Sequence, residues 1–374
     1  MKKLFPLYIT IVFVFCCTAI FSQRINYEKV DSIISNLASI NKFSGVVLIA
    51  EDGKVKYNKA TGYIDYTKQK PLNKNSIFEL ASVSKQFTAM TIMMVKEKGL
   101  LRYDDLVEKY INIPYKGMTI RQLLTHTSGL PDYQAIMDAY WDKSKVAGND
   151  DIINYLNKYA PPKLFQPGEK YLYSNTGYVL LASIVEKVSG RDFIEFCNTE
   201  IFNKLKMNQT AIRSLKEKAE IKNFALGHVF VPERNAYIRA DSFPSSNYTI
   251  WLGNRKGPGR ISSTADDLLK WDQALYTNKL VNQTTLADAF LPMRLNNGTI
   301  SNYGFGWDLR PAENIVWHNG DNPGYKTIII RFLKSNITLI VLCNNATDAF
   351  ENLTAKLKNC IQAPLVPTTY LLVP

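Results

Sequence analysis

Cysteine and histidine are scarce in this chain, and each scarcity narrows the field. Of five cysteines in 374 residues, Cys16 and Cys17 lie in the first apolar stretch, leaving Cys197, Cys343 and Cys360. Odd in number, far apart and without metal-type spacing, they exclude a disulfide framework, so the fold must stand on its core. Cys343 ends an apolar strand, where it reads as a small buried hydrophobe. His126, His228 and His318 are the only histidines, and the lack of a helical His pair argues against a zinc hydrolase. No Gly-x-Ser-x-Gly segment is present, which disfavours an α/β-hydrolase elbow. Internal repeats and low-complexity tracts are also missing, which removes solenoids and disordered scaffolds. The net charge of +12 is spread over scattered lysines. With no nucleic-acid motif beside them, they read as a solvated basic surface rather than a nucleic-acid interface.

After residue 21 no apolar run approaches membrane length. Before it, Lys2 and Lys3 precede an apolar stretch over 4–21, with small residues at Ala19 and Ser22. This is the pattern of a signal peptide over 1–22, which predicts a secreted or periplasmic protein. The alternative is an uncleaved segment that anchors the protein to a membrane. With 46% hydrophobic and 21% charged residues, the remaining chain can bury one large core. A single domain is expected over 24–362, followed by a proline-containing tail over 363–374.

Helical spacing of Val30, Ile33, Ile34 and Leu37 predicts a helix over 26–40. Strands are expected over 45–50 and 54–63, joined at Glu51-Asp52-Gly53. An apolar helix follows over 82–98, ended by Gly99. The middle of the chain is rich in helical patterns, among them 177–188, closed by Gly190, and 264–276. Strands return over 303–309, 315–317, 326–333 and 337–343, and a helix is expected over 346–361. Strands at both ends with helices between predict an α+β fold. Both chain ends would form one antiparallel sheet flanked by the terminal helices, with a mostly helical inserted subdomain.

Three segments can carry chemistry. Ser82-Val83-Ser84-Lys85 opens the most apolar helix, and positions three apart share a helical face. A serine hydroxyl needs a base to become a nucleophile, and a desolvated lysine can be that base. Spacing alone is weak, since Ser39-Ile40-Asn41-Lys42 repeats it; the apolar context of Phe87, Met90 and Met94 singles out Ser82. Tyr173-Ser174-Asn175 offers a phenol to shuttle a proton near Lys85 and an amide to orient substrate or lysine. Tyr110, Tyr155 and Tyr276 begin the same Tyr-x-Asn pattern without such context and read as structural. His318-Asn319-Gly320 leads out of a strand. Gly320 would let substrate lie against the strand edge, and the Asp321 N–H could join that of Ser82 as an oxyanion hole.

Together, Ser-x-x-Lys, Tyr-x-Asn and a final [Lys/His]-x-Gly resemble the signature of penicillin-recognising serine enzymes. The branch that looks most similar contains class C β-lactamases, D-amino-acid peptidases and small esterases. Leu124-Thr125-His126-Thr127-Ser128-Gly129-Leu130-Pro131, Ser263-Thr264-Ala265-Asp266-Asp267-Leu268 and Tyr303-Gly304-Phe305-Gly306-Trp307 add to the likeness, which spans roughly 43–343. The resemblance implies a β-lactamase/transpeptidase-like fold and an acyl-enzyme on Ser82. In that scheme Lys85 and Tyr173 share the proton work, Asn175 positions a substrate amide, and His318, Gly320 and Asp321 belong to the binding site. His126 is expected to shape a turn near the site rather than to act. No metal and no cofactor are called for. The expected substrate is a small molecule or peptide, with cell-wall fragments among the candidates. Two departures stand out. His318 replaces the lysine of true β-lactamases, which predicts weaker selection for a substrate carboxylate and poor penicillinase activity. Gly257-Pro258-Gly259-Arg260 is less glycine-rich than the family pattern. A non-catalytic wall-sensing domain and a true class C-type β-lactamase stay open as alternatives. The segments 132–161 and 228–256, where specificity would lie, carry no readable motif.

Overall fold

A computed structural model describes residues 25–362. The expected signal peptide over 1–22 and the tail over 363–374 lie outside the described residues. No helix among the described residues is long and apolar enough to cross a membrane.

The centre is a six-stranded antiparallel sheet. Its strands are β1 (Gly45–Glu51), β2 (Lys54–Thr61), β3 (Asp308–Arg310), β4 (Ile315–Asn322), β5 (Tyr325–Phe332) and β6 (Ile337–Cys343), in the spatial order β3-β4-β5-β6-β1-β2. β1 and β2 join through Asp52 (φ +49°) and Gly53 (φ +70°), the left-handed pair that an Asp-Gly hairpin turn needs. β1 also pairs along its whole length with β6, from Gly45 opposite Cys343 to Glu51 opposite Ile337. Both ends of the described chain therefore close one sheet.

Strand alternation explains why both faces are buried. Val46 and Leu48 of β1, with Ile340 and Leu342 of β6, join the large core on the helical side. Val47 and Ile49, with Leu339, Val341 and Cys343, face the opposite way onto a second cluster. That cluster is completed by helix α1 (Tyr27–Ser39) through Val30 and Ile34, and by the C-terminal helix Phe350–Gln362 through Leu353 and Leu357. Cys343 lies there fully buried, its thiol pushed up to about 12 by desolvation.

On the other face, α2 (Lys85–Glu97) runs through the core with every residue from Lys85 to Val95 buried. A helix enclosed on all sides needs no polar face, which accounts for its run of Met, Ile and Val. Packed near it are α3 (Ile120–Leu124), α4 (Tyr133–Tyr140), α5 (Asn149–Tyr159) and α6 (Asn175–Ser189). Ser174 caps α6 at one end and Gly190 (φ +67°) at the other. Helix α7 (Ala265–Ala274) is capped by Thr264 and packs on β1 and β6.

Three elements differ from the sequence expectation. The helix predicted over 82–98 begins as a tight 3₁₀ turn, Ala81–Ser84, before α2 takes over. The strand predicted over 303–309 is regular only at Asp308–Arg310, because the stretch before it threads past other backbone. A Cβ at Gly304 would lie 2.0 Å from the Ala289 carbonyl oxygen, and one at Gly306 (φ +78°) 2.8 Å from that of Lys85. The strand predicted over 315–317 continues to Asn322, since backbone pairing with β5 carries it through polar residues.

Candidate active site

The 3₁₀ turn positions the first two groups. Ala81 adopts a left-handed conformation (φ +48°) where the chain leaves a short strand, Phe78–Glu79, and bends into the turn. In 3₁₀ geometry residues three apart eclipse, so Ser82 and Lys85 stand one above the other. Lys85 Nζ lies 3.0 Å from Ser82 Oγ, 2.8 Å from Asn175 Oδ1 and 2.8 Å from the Pro258 carbonyl oxygen. Ser82 is partly exposed while Lys85 is fully buried. Burial pushes the lysine amine well below its ordinary range, and the nearby Arg255 guanidinium pushes the same way. Asn175 Oδ1 and the Pro258 carbonyl can only accept. In its neutral form the amine gives its two hydrogens to them and has its lone pair free for the Ser82 hydroxyl.

Tyr173 completes the cluster, its ring centroid 4.7 Å from Lys85 Nζ. The residue as a whole is 38% exposed, whereas its hydroxyl end is enclosed. Desolvation pushes the phenol far above its ordinary range, with the neighbouring Ser82 hydroxyl pulling it part way back. The phenol therefore keeps its proton at neutral pH. That makes it a donor and leaves Lys85 as the acceptor.

β4 forms the opposite wall. Its hairpin to β5 turns on Pro323-Gly324, with Asn322 opposite Tyr325 and Gly320 opposite Thr327. Those pairs direct their backbone groups to β5, so Asn319 and Asp321 direct theirs to the other edge. β3 covers that edge only as far as Trp317. The Asp321 N–H thus faces an edge that no described strand covers, next to the Gly320 that packs on the Ser82 turn, while its carboxylate turns away to pair with Lys326 at 3.0 Å. Gly320 is needed for a different closeness from the one expected. A Cβ there would lie 2.2 Å from the Leu80 carbonyl oxygen, so glycine lets β4 press on the turn that carries Ser82.

A sequence model of the family described as Beta-lactamase matches residues 30–359. The chain belongs to the beta-lactamase family. Penicillin-binding protein 4* of Bacillus subtilis (strain 168) is 41% identical over 326 residues, covering 86% of this chain and 72% of that protein. A solved penicillin-binding protein homologue from Pyrococcus abyssi, described as octameric, is 27% identical with a TM-score of 0.75, covering 86% of this chain and 74% of that one. The D-amino acid amidase of Ochrobactrum anthropi SV3 shares the fold, with a TM-score of 0.73 at 21% identity, covering 90% of this chain and 98% of that one. These likenesses agree with the α+β, β-lactamase/transpeptidase-like architecture seen here.

Within this beta-lactamase-family site, two histidines serve the frame. His318 is 1% exposed. Its Nδ1 meets the Asn319 carbonyl oxygen at 2.5 Å and its Nε2 the Tyr303 hydroxyl at 2.8 Å. A carbonyl cannot donate, so Nδ1 carries the proton and Tyr303 donates to Nε2. Burial pushes this imidazole down to about 3. The ring is neutral and engaged at both nitrogens, so it offers no cation to a substrate. His126 takes a left-handed conformation (φ +57°) in its turn. Its carbonyl accepts from Leu172 N at 2.9 Å, and its Nδ1 from Ser174 N at 3.0 Å. It thereby grips the chain on both sides of Tyr173, against whose ring its own packs at 4.3 Å.

Three participants escaped the sequence reading. The Pro258 acceptor is a backbone atom and has no side-chain signature. Tyr303 belongs to a stretch noted only for its likeness, with nothing to reveal its bond to His318. Arg255 lies in a segment without a motif. Its Nη1 donates to the Tyr133 hydroxyl.

Proposed function

We propose that the protein is an exported serine hydrolase of amide or ester bonds, acting through an acyl-enzyme on Ser82. The observation that carries this reading is the buried Lys85 amine, held by two obligate acceptors with Ser82 Oγ as its third neighbour. Ser82 passes its proton to Lys85 as Oγ bonds to the substrate carbonyl carbon. The oxyanion that forms is met by the backbone N–H groups of Ser82 and Asp321. Tyr173 protonates the departing amine or alcohol and regains a proton from Lys85. Water then releases the acid from Ser82 by the same steps in reverse. Asn175 holds Lys85 in place and presents its amide to the substrate.

D-amino-acid peptides and small esters are favoured over β-lactams as substrates. Support comes from His318, whose neutral, enclosed ring replaces a lysine cation. The N-terminal pattern over 1–22 supports export, to the periplasm or outside the cell.

The test is the intact mass of residues 24–374 after exposure to a fluorophosphonate, with Ser82→Ala alongside. A single adduct on the parent and none on the variant is expected, together with ester turnover that outpaces nitrocefin. A well-folded parent that takes no adduct points instead to a non-catalytic binding domain. Nitrocefin turnover equal to that of dedicated β-lactamases would make the protein a true β-lactamase.

A further inference from the structure

Among the described residues, Arg255 is a guanidinium without an ion-pair partner. Its one hydrogen-bond partner is the neutral Tyr133 hydroxyl, and its Nε is buried with no partner among the described residues. The carboxylate whose field reaches it is Glu79, and Glu79 is already paired with Lys218. The neighbouring Lys256 is taken by Glu186 and Asp192. Arg255 is partly buried, and even partial removal of an unpaired charge from water is costly, a cost that folds tolerate chiefly where the charge has work to do.

Its position specifies the work. A Cβ on Gly259 would lie 3.6 Å from Arg255 Nη2 and 3.7 Å from the Ala81 carbonyl oxygen. Glycine thus leaves a gap between the guanidinium and the turn that carries Ser82. Tyr248, whose hydroxyl donates to Asn322 at the end of β4 at 3.3 Å, stands near Arg255 as well. A fixed guanidinium is shaped to receive a carboxylate. Lys256 is engaged elsewhere, and Arg260, the other guanidinium nearby, turns its Nη2 to the Arg213 carbonyl oxygen at 2.7 Å. Arg255 thus lies beside the turn that carries Ser82, on which the acyl group stays bound once Oγ has bonded to its carbonyl carbon.

We propose that Arg255 is a specificity residue that selects acyl groups bearing a carboxylate, held by Tyr133 to receive that group while Ser82 attacks the carbonyl. The proposal rests on the serine-hydrolase reading. It also restores a charge preference that neutral His318 cannot supply.

The experiment uses matched 4-nitrophenyl esters whose short acyl chains end in a carboxylate or in a carboxamide. Wild type should favour the carboxylate ester in kcat/KM by roughly tenfold or more, chiefly through KM. Arg255→Gln should bring the ratio near one, Arg255→Lys should keep part of it, and Tyr133→Phe should reduce it. A ratio near one in wild type, or one unchanged in Arg255→Gln, overturns the proposal. Fluorophosphonate labelling of Ser82 in each variant reports that the site is folded. Equilibrium binding of the corresponding free diacid and its monoamide to Ser82→Ala protein reads the same preference without turnover. Preference in binding without turnover by wild type means that the hydrolase reading has failed while Arg255 keeps its role. Normal turnover without preference means the reverse.

Discussion

Ser39 to Lys42 and Ser82 to Lys85 hold the same two residues at the same spacing, yet only one pair is a candidate for chemistry. Ser39 ends α1, its hydroxyl donating to the Asn36 carbonyl at 2.9 Å. Lys42 reaches into solvent, 3.2 Å from Asp348, with side-chain exposures of 46% and 82%. Lys85 is enclosed, its amine fixed by Asn175 and Pro258 from segments far away in the chain. The difference teaches that spacing brings two groups together, whereas enclosure and remote acceptors turn one of them into a base.

The comparison can be broken at its strongest point first. Ser82→Ala should lower ester turnover by roughly 10⁴-fold or more, while Ser39→Ala changes it by less than about twofold. Equal losses in steady-state assays would erase the distinction. Next, Lys85→Met should slow fluorophosphonate labelling by about 10²- to 10⁴-fold. Lys42→Met should label at the parent rate.

A subtler change keeps every atom of the cluster but alters one charge. Asn175→Asp places a carboxylate against Lys85 and raises the lysine pKa. Activity requires the neutral amine, so the acid limb of the kcat/KM profile should move to higher pH by about one to three units. An unmoved limb would show that Lys85 is not the titrating base.

The smallest effect concerns stability, where burial acts on His318 as it acts on Lys85. The unfolded chain protonates this histidine below its ordinary pKa of about 6.5, while the folded ring resists down to about 3. Stability from this group is therefore complete above the higher value and falls as pH drops between the two. The loss is up to about 1.4 kcal/mol per pH unit. His318→Gln should flatten that slope in urea midpoints measured across the window, with His126 and His228, whose rings burial also pushes down, contributing to what slope remains.

Much of the site was legible because it consists of side chains at telling intervals. Ser82, Lys85, Tyr173 and Asn175 could be named from two short motifs, and the structure brings all four together. The decoys were legible too: Tyr110 donates to Asp105 at 2.5 Å, and Tyr276 stacks under Arg331. What stayed hidden was backbone and charge. A carbonyl such as that of Pro258 is present in every residue and announces nothing. The helical spacing at Ser82 fits α and 3₁₀ turns alike, so the tighter turn was invisible. β4 looked short because His318 to Asn322 break the apolar alternation that marks a strand, although their pairing with β5 never depended on side chains. The hairpin at Asp52-Gly53 and the cap at Gly190, by contrast, follow from local backbone conformation and were readable at once.

The pairing of residue 45 with residue 343 sets the order in which the molecule can assemble. β1 leaves the ribosome early but waits beside an empty place until β6 arrives, and with it β4, which walls the Ser82 turn. Such distant pairing makes loop closure slow. A circular permutant opened at Asp52-Gly53, its new join running between α1 and the C-terminal helix, would make the pairing of β1 with β6 local and should refold faster to the same cleft.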